Sequence, residues 1–214
     1  MTKNFSLQKI AAAVAFLFIA SACTGVIPGT GPQPDLYTLS PKSTFPDSIP
    51  LVGWQLVVEE PIAAGGLNTQ TIALRTTQLD LKYFAGARWT ERSTRLVQTL
   101  MVESFENSGK IMAVGRQVIG LRSDLNVKSE LREFQAEYFD GVDKAPNIRV
   151  RLNVKLIRQP RREIVASRTF ETLVPSTGTS MRSIVEAFDE AVGKVLKNVV
   201  TWTLTEGDVA LSNR

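Results

Sequence analysis

The chain has 214 residues, with 25 Lys and Arg against 21 Asp and Glu, a formal charge of +4, one cysteine and no histidine. That length supplies one domain with a full core. The missing histidine excludes Ser-His-Asp and Cys-His catalysis, and with a single cysteine it also excludes zinc sites of the His or Cys type.

At the N-terminus, Lys3 and Lys9 precede an apolar run from Ile10 to Ala20, and the small residues Ala20, Ser21 and Ala22 lead into Cys23. This is the charged region, apolar region and cleavage site of an export signal. A membrane-spanning helix needs roughly 20 apolar residues, so the run is too short to span stably. Ala20-Ser21-Ala22-Cys23 resembles a bacterial lipobox, with cleavage between Ala22 and Cys23 and a diacylglyceryl group on the Cys23 sulfur. An ordinary signal peptide cut after Ala22 is the alternative. A lone thiol in an oxidising compartment favours the modified form. By resemblance to lipoprotein sorting in enteric bacteria, Thr24 rather than Asp after the cysteine favours the periplasmic face of the outer membrane over the inner membrane. Removal of residues 1–22 takes away Lys3 and Lys9 and no acid, so the remaining positive excess is small. Export and that small excess argue against a nucleic-acid partner. The expected organisation is a lipoprotein signal peptide over 1–22, a lipidated N-terminus and flexible tether over 23–35, a single periplasmic domain over 36–206 and a C-terminal tail over 207–214.

Short β-prone runs open the domain at Leu36–Leu39 and Trp54–Val58. Thr71–Arg75 and Leu79–Phe84 flank a polar turn and predict a hairpin. From Glu91 to Ser108, Leu96, Val97, Leu100, Met101 and Phe105 recur at spacings of three and four, which predicts an amphipathic helix closed by Gly109. Strand signals return at Met112–Val114 and Leu125–Tyr138. In the latter the apolar set shifts from odd positions (Leu125, Val127, Leu131) to even ones (Phe134, Ala136, Tyr138). A period-2 pattern changes parity only through an extra residue, so a β-bulge is predicted between Leu131 and Phe134. Ile148, Val150, Leu152, Val154 and Leu156 alternate with polar residues and predict a half-buried antiparallel strand. After a charged turn at Arg158–Arg162, Ile164–Val174 should complete a meander, with Ile164, Ala166, Phe170 and Val174 inward. A second helix is predicted over Ser180–Leu204, capped by Thr179 or Ser180, its apolar stripe running from Ile184, Val185 and Phe188 to Val199 and Trp202. The class is α+β, an antiparallel or mixed sheet with two amphipathic helices packed on it.

The acidic neighbours Glu59-Glu60, Glu130 with Glu133, and Glu186 with Glu190 are the available carboxylate pairs, and all are more simply solvent-facing. No catalytic residue, metal site or cofactor is expected, and the chain is not read as an enzyme. Arg149, Arg151, Lys155, Arg158, Arg161, Arg162 and Arg168 form the strongest surface feature. They make either a solvated face that guards an edge strand or a contact surface for anionic head groups or an acidic partner.

Several segments carry a family likeness in order along the chain. They are the lipobox, Tyr37-Thr38-Leu39, Val57-Val58-Glu59-Glu60-Pro61, and Tyr83 followed by Ala87-Arg88-Trp89-Thr90-Glu91. Ser108-Gly109, Leu131-Arg132-Glu133-Phe134, Val165 to Phe170 and Ala187-Phe188-Asp189-Glu190-Ala191 follow. This order resembles the ABC-type transport auxiliary lipoproteins, the PqiC-like family. The resemblance implies a non-catalytic accessory subunit that works with an ABC ATPase, a permease and a membrane-anchored MCE-domain protein in lipid or hydrophobic-compound traffic across the Gram-negative envelope. Tyr83, Arg88 and Trp89 near the first helix, with Arg149, Arg151 and Lys155 of the basic set, are the candidate partner contacts. A homo-oligomer is left open. The rival readings are a free-standing periplasmic lipid chaperone, which requires a deep apolar cavity, and a hydrolase built on carboxylates.

Overall fold

The computed structural model describes residues 33–116 and 122–212, so the predicted signal peptide, Cys23 and most of the tether lie outside the described residues. The elements in chain order are β1 (Asp35–Tyr37), β2 (Val52–Val58), β3 (Ile62–Ala63), β4 (Thr71–Arg75), β5 (Lys82–Trp89), α1 (Ser93–Ser108), β6 (Ile111–Arg116), β7 (Leu125–Glu137), β8 (Asn147–Arg158), β9 (Glu163–Pro175) and α2 (Met181–Ser212). The strands form one mixed sheet and the helices pack on it, which is the α+β class expected.

Strand β7 organises the sheet. Along one edge it pairs antiparallel with β8 over its whole length, and β8 pairs with β9, giving the expected meander. Its other edge is divided among three parallel partners: Leu56 of β2 lies opposite Leu125, Ile62 of β3 opposite Glu130, and Ala73 of β4 opposite Gln135. β2 also pairs with β6, while β4 forms the predicted hairpin with β5, which takes β1 in parallel. The sheet therefore splits into two arms on that side of β7.

The bulge predicted from the parity change is present. Leu131 faces Leu152 and Glu133 faces Arg151, leaving Arg132 as the extra residue. It keeps Leu125, Val127 and Leu131 before it, and Phe134 and Ala136 after it, on the buried side. It also falls between the stretch of β7 paired with β3 and that paired with β4, so the bend of a bulged strand coincides with the division of the sheet.

On the inner face α2 packs against β8 and β9 and reaches Phe134 of β7, its Ile184, Phe188, Ala191, Val192, Val195, Val199 and Trp202 buried as the stripe requires. Ser180 caps this helix, its Oγ accepting from the Ser183 N–H at 3.2 Å. Three rings join sheet to helix. Trp89 of β5 stands 5.6 Å from Phe134 of β7 and 5.2 Å from Phe188 of α2, and the two phenylalanines are 5.2 Å apart. Gly109 ends α1 in the left-handed conformation, with φ 61°, as glycine permits.

The structure corrects four expectations. β5 runs on to Trp89, so residues 87–89 are strand rather than helix entrance, and α1 starts at Ser93, two residues after Glu91. The helix start is set by tertiary contacts: the Ser93 N–H donates to the Thr69 carbonyl at 3.1 Å, and the Thr94 hydroxyl donates to Glu60 at 2.7 Å. Ile164 is exposed rather than inward, because β9 carries its own bulge: Leu156 faces Ala166 and Ile157 faces Ile164, which leaves Val165 over. The second helix runs on through residues 207–212 rather than ending at Leu204. Gly207 permits this, because a Cβ there would come within 2.7 Å of Trp54 and 2.8 Å of Leu125. The two-residue strand β3 was not anticipated.

Deleting Arg132 should turn Glu133, Gln135 and Glu137 inward and Phe134 outward, abolishing cooperative thermal unfolding, whereas Arg132→Ala should leave the melting curve nearly unchanged. Trp89→Ala should cost about 3–5 kcal/mol in denaturant unfolding, a large share of the stability of one domain.

Candidate functional site

The outer face of the meander, opposite the helices, carries Glu133, Gln135 and Glu137 from β7, Arg149, Arg151, Asn153 and Lys155 from β8, and Glu171 from β9. Their order follows from strand register. Arg151 donates to Glu133 at 2.7 Å, and Arg75 of β4 stands 3.7 Å from the other oxygen of Glu133. Arg149 donates from Nε to Glu137 at 2.8 Å and from its terminal nitrogen to Glu171. Gln135 links the two clusters, its amide nitrogen donating to Glu133 at 2.6 Å and to Glu137 at 3.1 Å, while its oxygen accepts the Phe134 N–H at 2.8 Å. Gln135 is fully buried and Glu137 only 6% exposed. Hydrogen bonding to Glu137, and then to Glu171, raises the Arg149 guanidinium above its ordinary pKa.

The basic set predicted as one surface is therefore divided. Arg149 and Arg151 are committed to internal ion pairs. Arg158 pairs with Glu163 at 2.7 Å and donates to the Ala210 carbonyl at 3.2 Å, bracing the end of α2. Arg168 faces the opposite side of the sheet, since register sets it against Val154, and its guanidinium lies 5.4 Å over the Phe170 ring. Lys155 is exposed. The lysine opposite it, Lys128, pairs with Glu59 at 3.3 Å.

Of the other predicted contacts, Arg88 is exposed on β5, and Tyr83, on the same strand, is 43% exposed with its hydroxyl donating to the Gly66 carbonyl at 3.0 Å. Trp89 is 1% exposed. It belongs to the core and not to the contact surface, because successive side chains on β5 alternate and Trp89 takes the inward position beside Arg88. The carboxylate pairs noted in the sequence are held in salt bridges: Glu60 with Arg92, Glu130 with Arg132, Glu186 with Arg182 and Glu190 with Lys194.

Sequence reasoning placed a polar turn between β4 and β5 but missed the Asp80 contacts that fix it. The Asp80 carboxylate accepts the N–H groups of Thr76 and Thr77, each at 2.9 Å, together with the Thr76 hydroxyl, and Lys82 lies 3.1 Å away. These hydrogen bonds, the Thr76 hydroxyl first, hold its pKa well below the ordinary 3.8. A Thr-Thr pair shortly before an Asp is the signal that could have revealed these contacts.

Glu133→Gln should destabilise by about 1–3 kcal/mol in chemical unfolding, since Arg75 and Arg151 would share a partly buried site without their counter-charge. Because the folded Asp80 carboxylate keeps its charge below 3.8, its contribution to the turn is complete above about pH 4 and is lost as acidification proceeds toward the folded pKa. Protection of the Thr76 and Thr77 amides, relative to their intrinsic exchange rates, should therefore be high at pH 5 and lower in strong acid, and low at both in Asp80→Asn.

The chain is 24% identical over 176 residues to an uncharacterized protein of Bradyrhizobium diazoefficiens, covering 82% of this chain and 46% of that one, so it spans about half the length of that curated relative. The crystal structure of a DUF330 protein from Xanthomonas campestris superposes with a TM-score of 0.78 at 32% identity, covering 83% of this chain and 99% of the other. A second crystal structure, of an uncharacterized protein, has a TM-score of 0.63 at 13% identity over 79% of this chain and 97% of that one, and shares the fold. The family model for ABC-type transport auxiliary lipoprotein components matches residues 37–200, and the chain belongs to that family.

Proposed function

We propose that this chain is the non-catalytic accessory subunit of an ABC/MCE-type system that moves lipid or another hydrophobic compound across the Gram-negative envelope. It is anchored by a diacylglyceryl group on Cys23 at the periplasmic face of the outer membrane. Family membership over residues 37–200 carries the reading, since the family is an auxiliary lipoprotein component of ABC-type transport. The disposition of charge supports it. Carboxylates that could serve as acid and base are engaged as structural partners: Glu133 by Arg151, Glu137 by Arg149, and Glu59 by Lys128. Among the described residues no helix is long and apolar enough to cross a membrane. ATP hydrolysis belongs to other subunits in this scheme. Tyr83, Arg88 and Lys155, all exposed, are the candidate partner contacts in this reading.

The decisive experiment is recovery of the lipidated protein from membranes after gentle crosslinking. An MCE-domain protein, permease or ATPase should accompany it, and finding no transporter component would overturn the reading. Cys23→Ser should release the domain from the membrane fraction and abolish transport without changing its melting temperature. Charge reversal at Arg88 and Lys155 should leave stability within about 0.5 kcal/mol of wild type while reducing the crosslinked yield. Arg149→Glu, by contrast, should lower stability first.

A further inference from the structure

The turn between β4 and β5 is rigid in its backbone and apolar at its tip. Asp80 fixes the backbone through Thr76 and Thr77, and the Leu79 N–H donates to the Thr77 hydroxyl at 3.3 Å. On this frame Leu79 is 99% exposed. A flexible loop could fold such a side chain back against the domain. This one is held out.

Two further apolar side chains gather at the same end of the sheet. The Tyr138 N–H donates to the Arg75 carbonyl at 2.8 Å, which ties the base of the hairpin to the end of β7. The connection from β7 to β8 thus begins beside the hairpin, and its Phe139 and Val142 are 45% and 63% exposed. The charges of this end nearly cancel: Lys82 pairs with Asp80, while Asp140 and Asp143 stand with Lys144 in the adjoining connection. Projecting apolar tips without a basic excess suit a zwitterionic head-group layer better than an anionic one.

The course of the chain says which end faces the lipid. β1 runs parallel to β5, with Asp35 opposite Ala87 and Tyr37 opposite Trp89. β1 therefore enters the sheet from the side of β5 that leads to Lys82, where the hairpin tip lies. Cys23 precedes Pro34 by about eleven residues, which at roughly 3.3 Å each reach no more than about 36 Å.

We propose that Leu79, with Phe139 and Val142, forms a membrane-seating tip that inserts into the surface of the zwitterionic bilayer holding the Cys23 anchor. The proposal rests on the anchor reading only for the direction in which the membrane lies. Seating would hold the domain in one orientation, with the Leu125 end of β7 farthest from the lipid.

The test uses the full chain carrying Leu79→Cys labelled with an environment-sensitive fluorophore, bound to phosphatidylethanolamine and phosphatidylcholine vesicles that contain a quencher lipid. The same label at Asn153→Cys is the reference. Blue-shifted, quenched emission at position 79 and water-like emission at 153 is expected. Equally water-like emission at both positions overturns the proposal. So does shielding at 79 that appears only when transporter proteins are added, since the tip would then be a protein contact. A parallel series in the Cys23→Ser background with excess vesicles separates the tip from the anchor. There Leu79→Asp should reduce vesicle binding about tenfold, and an unchanged partition overturns the proposal. If chains with and without Cys23 float alike, the anchor reading fails, while the emission at position 79 still decides the tip.

Discussion

One extra residue in β7 holds the fold together. Without Arg132 the strand could bury either Leu125, Val127 and Leu131 or Phe134 and Ala136, but not both sets. The side-chain period of a strand is 2, and the sheet has one side that accepts apolar groups. The aromatic contact among Trp89, Phe134 and Phe188 depends on this choice, and so does the seating of α2. The same residue sets Glu133, Gln135 and Glu137 on the far side, where Arg149 and Arg151 meet them. Core and charge network are two results of one displacement.

The network also bears on function. Charged side chains on a sheet invite a search for a substrate, yet here the arginines and carboxylates satisfy one another across strands, with Gln135 joining them. Ion pairs of this kind give modest net stability and fix which groups stand opposite which. They stiffen the face, while Arg88 on β5 and Lys155 on β8 stay exposed. A scaffold with its chemistry engaged internally accords with an auxiliary component of a transporter whose energy comes from elsewhere.

Much of this was legible because the signals were periodic and long. The parity change placed a bulge between Leu131 and Phe134, and the stripes of both helices gave their buried faces. Where a signal was short or depended on distant partners, the sequence misled. Ile164 reads as inward until the bulge at Val165 is known, and nothing in that run breaks the pattern visibly. Trp89 reads as a helix-entrance anchor because a strand end and a helix start lie three residues apart, with tertiary hydrogen bonds from Ser93 deciding between them. The basic residues looked like one patch since they cluster in sequence. Their partners Glu133, Glu137 and Glu171 lie 12 to 22 residues away, and only register brings them together.

The shared edge of β7 has a kinetic side. Three of its parallel partners come from residues 56–75, about sixty to seventy positions earlier in the chain, so half of the central strand's backbone bonding waits on contacts that are very distant along the sequence. Non-local parallel pairing makes a domain slow to assemble, because loop-closure entropy is lost before the contacts return it. Such delay exposes strand edges to aggregation. In this domain the exposure ends only when β7 has paired with β2, β3 and β4.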